Sequence, residues 1–245
     1  MVSIMRVLAA FLLLLPLAAG CGTGGEGPVT LRILADSSLT EVMADLTAVY
    51  RQSHRHLRFR LRLDGSQIIT GELDKGDVVI TADARSLRSP DEELEPARTI
   101  ARNSLTIAVA PGNPLRVRNL VRLAERRMKV VLGPSTGPLG RYSQQVLASA
   151  GVVVKPRSEE ASARAVLSMV RSGEADAGLV YITDMKWAGA AASSVAIPAA
   201  QNVTVVYPAA AISESPHRDE AAAFVNWLAG PEATALFNKY GFQSP

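Results

Sequence analysis

Residues 29–50 read VTLRILADSSLTEVMADLTAVY. Val29 to Ala35 is a short apolar strand. Ser38-Leu39-Thr40-Glu41 then has the spacing of a capping box, a hydroxyl N-cap with a glutamate three residues later. Leu39, Val42, Met43, Leu46, Val49 and Tyr50 recur at helical spacing and form one apolar stripe. A strand that feeds a helix is the unit of α/β layering, and the rest of the chain repeats the alternation, which predicts mostly parallel sheets.

Working outward, Leu57 to Leu63 reads LRFRLRL. A central parallel strand buried on both faces would be apolar throughout, so this one belongs at a sheet edge or has one wet face. The arginine row is a pattern also seen in nucleic-acid binders; a solvated edge protected by charge is the reading adopted. Asp64-Gly65-Ser66 is a turn that opens a short helix through Leu73, and Val78 to Thr81 is the next strand. Further strands are predicted at Leu105–Ala110, Met128–Leu132, Val152–Val154, Ala177–Ile182 and Val203–Val206. Helices are predicted at Leu115–Arg127, Arg141–Ala150, Ala161–Arg171, Arg218–Ala229 and Glu232–Tyr240. Pro111-Gly112-Asn113-Pro114 is the best candidate for a domain crossover.

Composition narrows the function. The 245 residues are 48% hydrophobic with a net charge of +3, a globular balance too near neutrality to point to nucleic acid. One cysteine and three histidines disfavour disulfides, cysteine-based metal clusters and a multi-histidine zinc site. No G-x-x-x-x-G-K-[ST], H-E-x-x-H or C-x-x-C motif occurs, and the expectation is a protein without catalysis or a resident cofactor. His54, His56 and His217 read as surface residues, and Asp74 and Asp77 as turn punctuation.

The N-terminus reads as an address. Arg6 precedes an apolar run from Val7 to Ala19, of signal-peptide length and short for a membrane span. Ala18-Ala19-Gly20-Cys21 resembles the lipobox of bacterial lipoproteins, which implies cleavage before Cys21 and lipidation of its thiol. Residues 1–20 are then a signal peptide and 21–29 a tether. The mature protein would lie outside the cytoplasm, anchored to the cell membrane through Cys21.

The chemistry that stands out is hydroxyls and glycines at helix starts: Ser37-Ser38 after the first strand, Gly65-Ser66 after the second, and Ser135-Thr136-Gly137 with Gly140 in the second half. Unpaired N–H groups and helix dipoles that converge make an anion site without any full positive charge. Each serine can also cap its own helix, and both roles can hold together.

At this point the chain resembles the substrate-binding proteins of bacterial molybdate ABC transporters. The likeness runs from about Leu31 to the C-terminus. It rests on Ala35-Asp36-Ser37-Ser38-Leu39-Thr40, Asp64-Gly65-Ser66, Asp77 to Asp83, Pro138-Leu139-Gly140-Arg141-Tyr142, the run GEADAGLVYITD from Gly173 to Asp184, and Lys239-Tyr240-Gly241-Phe242. The resemblance implies a two-lobed periplasmic-binding fold, each lobe a mixed, mostly parallel sheet flanked by helices, with ligand in the cleft. Crossings near Val109 and Tyr207 would divide the chain into lobe one, 30–108 and 207–245, and lobe two, 109–206. It implies an oxyanion, molybdate or tungstate, held by neutral donors: Ser38 and Ser66 by hydroxyl and backbone N–H, Leu139 and Ala163 by backbone N–H, and Tyr181 by its phenol. Sulfate, another oxyanion, an organic acid or iron on the same fold, or a sensing role, is the alternative. The implied partners are an ABC permease and its ATPase, and the implied state is a monomer.

The chain departs from the family pattern in places. Asp36 and Leu139 each stand where the motif has alanine, and Ser162-Ala163-Arg164 matches loosely. A carboxylate at Asp36 facing the cleft would repel a dianion by several kcal/mol. A site of donors alone suits a tetrahedral dianion, whereas an acceptor carboxylate suits a protonated phosphate.

Overall fold

The computed structural model describes residues 27–88 and 94–245, so Cys21 and the residues before it lie outside the described residues. The strands are β1 Val29–Asp36, β2 Leu57–Asp64, β3 Val78–Ile80, β4 Arg98–Asn103, β5 Leu105–Val109, β6 Val130–Leu132, β7 Ser158–Glu159, β8 Ala177–Tyr181, β9 Ser193–Val195 and β10 Val205–Ala211. The α-helices are α1 Thr40–Ser53, α2 Ser66–Ile69, α3 Pro138–Ser149, α4 Ala163–Ser172, α5 Ile182–Ala188, α6 Arg218–Leu228 and α7 Pro231–Lys239. Among the described residues no helix is long and apolar enough to cross a membrane.

The strands form two mixed five-stranded sheets, ordered β2-β1-β3-β10-β4 and β7-β6-β8-β5-β9. In the first, β1 is parallel to β2 and β3, while β10 is antiparallel to β3 and β4. In the second, β6 is parallel to β7 and β8, while β5 is antiparallel to β8 and β9. The two orders are therefore equivalent, with β1 and β6 in matching places and β2 and β7 at matching edges. This two-lobed α/β architecture is the expected one, but the sheets are evenly mixed rather than mostly parallel, because β10 and β5 enter their sheets antiparallel to both neighbours. The arginine-bearing strand β2 is an edge, its apolar residues turned inward.

Several boundaries differ from those read in the sequence. β5 belongs to the second sheet, so the first crossing falls at Ser104, between β4 and β5, rather than near Val109; the second precedes Val205 rather than falling near Tyr207. The Pro111–Pro114 segment is a turn after β5, with Asn113 and Arg116 at positive φ. Both Asn113 side-chain atoms bond Val117, and this tie displaces the predicted Leu115–Arg127 helix to a 3-10 turn at Leu120–Ala124. Val152–Val154 is not a strand; Val153 is exposed, and Ser158–Glu159 takes the edge place instead. The polar strands β4, β7 and β9 carry no strong apolar alternation, and sequence reading missed them.

Asp77 is structural rather than punctuation. Its carboxylate is fully buried and accepts from Arg32 N, Nε and Nη2 at 2.7, 3.0 and 2.9 Å and from Ser215 Oγ at 2.7 Å. Burial alone would raise its pKa, but the Arg32 and Ser215 bonds outweigh burial and hold it below the ordinary carboxylate value. The pair ties β1 to the start of β3 and to the segment after β10.

Candidate functional site

Open α/β sheets bind ligands beyond the carboxyl ends of their strands, where the strand order switches direction. In the first sheet that place is the end of β1, flanked by β2 and β3. Asp36 and Asp64 end β1 and β2 in register, which sets the segments carrying Ser38 and Ser66 side by side. In the second sheet the equivalent ends are β6 and β7. Helix α3, with Leu139 in its first turn, follows β6, and α4, which begins at Ala163, follows β7. The four residues occupy matching positions in two matching lobes.

The lobes meet at this seam. Gln67 Nε2 donates to Ala161 O at 2.7 Å, and Arg164 Nε donates to Ser37 O at 3.1 Å. Arg164 also pairs with Glu41, and Arg141 Nε donates to Asp83 Oδ2 at 3.0 Å. Gly65 and Gly137 sit where the two lobes come close. A Cβ on Gly65 would lie 2.3 Å from Ala161 O, and one on Gly137 2.5 Å from Gln67 Oε1. Ser38, Ser66, Leu139, Ala163 and Tyr181 are all buried around the seam.

The site's centre is a residue the motif comparison marks only as a departure. Asp36 Oδ1 accepts from Ser38 N at 3.1 Å and Ser38 Oγ at 2.7 Å. Asp36 Oδ2 accepts from Ser66 N at 3.2 Å and Ser66 Oγ at 2.6 Å. The four lobe-one donors expected to face a ligand thus converge on the chain's own carboxylate. The Ser38–Glu41 capping box does not form: Asp36 caps a 3-10 turn at Ser37–Leu39, and α1 starts at Thr40 without a side-chain cap.

The surrounding protons point the same way. Ser38 Oγ gives its proton to Asp36, so the 3.0 Å contact with Tyr207 Oη must be a bond that Tyr207 donates. Asn103 Nδ2 donates in turn to Tyr207 Oη at 3.3 Å and to Thr183 Oγ1 at 2.9 Å. Ser66 Oγ accepts from Ala82 N at 3.0 Å while donating to Asp36. Two relays, Asn103–Tyr207–Ser38 and Ala82–Ser66, therefore end on one carboxylate. Tyr207 and Asn103 were missed in the sequence because β10 and β4 reach the site only through sheet order.

The electrostatics are dominated by the burial of acidic groups. Burial raises the pKa of Asp36, against the lowering effect of the Ser66 and Ser38 bonds. Burial also pushes the Tyr181 and Tyr207 phenols well above their ordinary value, and the Asp36 charge acts in the same direction. Asp184 accepts from Tyr181 N at 3.0 Å and is pushed up to about 7, mainly by burial. Beyond Ser38 a cavity of about 280 Å³ opens between α1, α5 and α7, bordered by Glu41, Thr183, Lys186, Trp187 and Phe242. Among the described residues no group of three or more His, Cys, Asp or Glu residues is placed to hold a metal ion. His54 stacks on Tyr50 with ring centroids 3.8 Å apart, away from the seam.

Known proteins share the family and the fold. A family model described as bacterial extracellular solute-binding protein matches residues 31–243. The chain is similar to the molybdate-binding protein ModA of Mycobacterium tuberculosis, 26% identical over 226 residues, covering 90% of this chain and 87% of that one. It is also similar to the "Putative ABC transporter substrate-binding lipoprotein YvgL" of Bacillus subtilis, 28% identical over 251 residues, covering 96% and 95%. The solved periplasmic molybdate-binding protein of Azotobacter vinelandii superposes with a TM-score of 0.71 at 20% identity, over 88% of this chain and 99% of that one.

Proposed function

Since the chain belongs to the bacterial extracellular solute-binding protein family, we propose that it captures a tetrahedral oxyanion, molybdate or tungstate, for an ABC importer. The observation that carries this reading is the convergence of Ser38 and Ser66, by hydroxyl and backbone N–H, on the two carboxylate oxygens of Asp36 at the lobe seam, a donor set able to hold an anion. These donors are neutral, and once released by Asp36 they fit an oxyanion that carries no proton. The N–H groups of Leu139 and Ala163 and the phenol of Tyr181 complete the cage from the second lobe. The similarity to a molybdate-binding protein supports the choice of solute.

Closure then works by differential affinity. An anion that takes donors from both lobes stabilises the closed form over the open one, and burial removes water from the bonds. The closed form is what a permease, driven by its ATPase, would recognise. The metal–oxygen bonds of molybdate and tungstate are longer than the sulfur–oxygen bonds of sulfate, which lets a rigid cage select by size. Anchoring through lipidated Cys21 belongs to the same proposal, supported by the N-terminal apolar run and the relative named as a lipoprotein. The working unit is a monomer.

Titration calorimetry of the chain beginning after Cys21 tests the solute. The expected result is heat from molybdate and tungstate and little from sulfate or phosphate. No heat from any oxyanion, at any pH between 5 and 8, would overturn the reading. Mass spectrometry of the membrane-bound protein and of Cys21→Ser tests the anchor, which predicts an acyl adduct only on the former.

A further inference from the structure

We infer that Asp36 is a resident anion, occupying lobe one's half of the oxyanion site, and that solute is admitted only by displacing its carboxylate from Ser38 and Ser66. The inference rests on the oxyanion reading above and adds to it a built-in competitor.

The geometry leaves Asp36 little other role. A carboxylate offers about four lone-pair positions, and Ser38 and Ser66 fill four at 2.6–3.2 Å. None remains to accept a proton from a protonated phosphate, so Asp36 in this position is not a ligand-recognising acceptor. Nor, among the described residues, is it balanced by a cation. The titratable groups that feel its charge are Tyr207 in its own lobe and Tyr181 and Asp184 in the other, and Arg164, which reaches Ser37 O from the second lobe, is already paired with Glu41. A buried carboxylate without a counter-ion is held by donors alone, as a bound oxyanion would be. A dianion cannot use the same four donors while Asp36 holds them, and two anions sharing the cage would repel strongly at low dielectric.

Asp36 therefore sets both affinity and selectivity. The empty site keeps its donors satisfied and its hydroxyls oriented, and only a solute with a stronger hold than a carboxylate gains entry. Chloride, acetate and similar weak anions are excluded by competition rather than by shape.

The test compares the wild-type chain with Asp36→Ala, titrating molybdate, tungstate and sulfate, and recording thermal unfolding with and without formate. Formate restores a carboxylate in trans. The expected result is that Asp36→Ala binds molybdate roughly 10- to 1,000-fold more tightly, since hydrogen bonds to a charged group no longer have to be broken first. Formate should raise the melting temperature of Asp36→Ala and leave that of the wild type unchanged. Equal molybdate affinity in the two proteins, with no formate effect on either, would overturn the inference. If neither protein binds any oxyanion but formate still stabilises Asp36→Ala alone, the resident-anion assignment stands and the oxyanion reading falls. An Asp36→Ala chain that fails to fold without added anion, but folds with formate, supports the inference by the same logic.

Discussion

Replacing Ser66 with alanine removes one oxygen that does two jobs. Ser66 Oγ donates to Asp36 Oδ2 at 2.6 Å and accepts from Ala82 N at 3.0 Å, in a fully buried position. The lost bond to a charged acceptor is worth about 1.5–3 kcal/mol, and the orphaned Ala82 N–H costs about 1–3 kcal/mol more. Allowing for relaxation, Ser66→Ala should destabilise the protein by roughly 3 kcal/mol. Urea unfolding at pH 8 measures this directly. The same substitution in an Asp36→Ala background loses only the Ala82 contact, so its cost should fall to about 1 kcal/mol. The difference, a coupling of roughly 2 kcal/mol, is the interaction between Ser66 and Asp36. Additivity of the two substitutions to within about 0.5 kcal/mol would falsify the claim that Ser66 holds an ionised Asp36.

Three further outcomes follow from the same geometry. Gly65 has a φ of −59° that alanine tolerates, but its added Cβ would lie 2.3 Å from Ala161 O across the seam; Gly65→Ala should leave both lobes folded, enlarge the radius of gyration in solution scattering, and weaken solute binding about tenfold. Unchanged scattering and affinity would refute the role of that contact in closure. Tyr181→Phe should weaken molybdate binding by roughly 1–3 kcal/mol, whereas Ser38→Ala should change wild-type affinity less, because Ser38 serves both the solute and its competitor Asp36; calorimetry that ranks them in the opposite order counts against this assignment. Asp184, pushed up to about 7 by burial, binds a proton in the folded state that the unfolded chain releases near its ordinary value of about 3.9; its stabilising contribution is complete below about pH 4 and is lost as pH rises through about 7, so Asp184→Asn, which keeps an acceptor for Tyr181 N, should flatten the fall in unfolding free energy between pH 5 and 8. Asp77 is held low by Arg32, and its contribution is lost only as pH falls through its depressed pKa, outside that window.

What the sequence by itself determined is local. Strand β1, helix α1 and the edge character of β2 are written in short-range periodicity: an apolar run, a 3.6-residue stripe and a strict two-residue alternation each describe how one segment buries one face. The serines after β1 and β2 were legible as candidate donors for the same reason, although a hydroxyl after a strand and before a helix reads equally as a helix cap. The matching order of the two sheets was not legible, because β4, β7 and β9 are short and polar and gain their place by completing an edge rather than through their own pattern. Asp77 looked like a turn residue until Arg32, 45 positions away, was brought against it. Asp36 is the sharpest case. Its residue type raised the question of repulsion, but whether its carboxylate faced solvent, the cleft or the serines depended on the in-register pairing of β1 with β2, and on Tyr207 arriving from 169 residues beyond Ser38. A side chain's partners are set by which distant segments pack against it, and only the tertiary structure decided that Ser38 and Ser66 close on the carboxylate of Asp36.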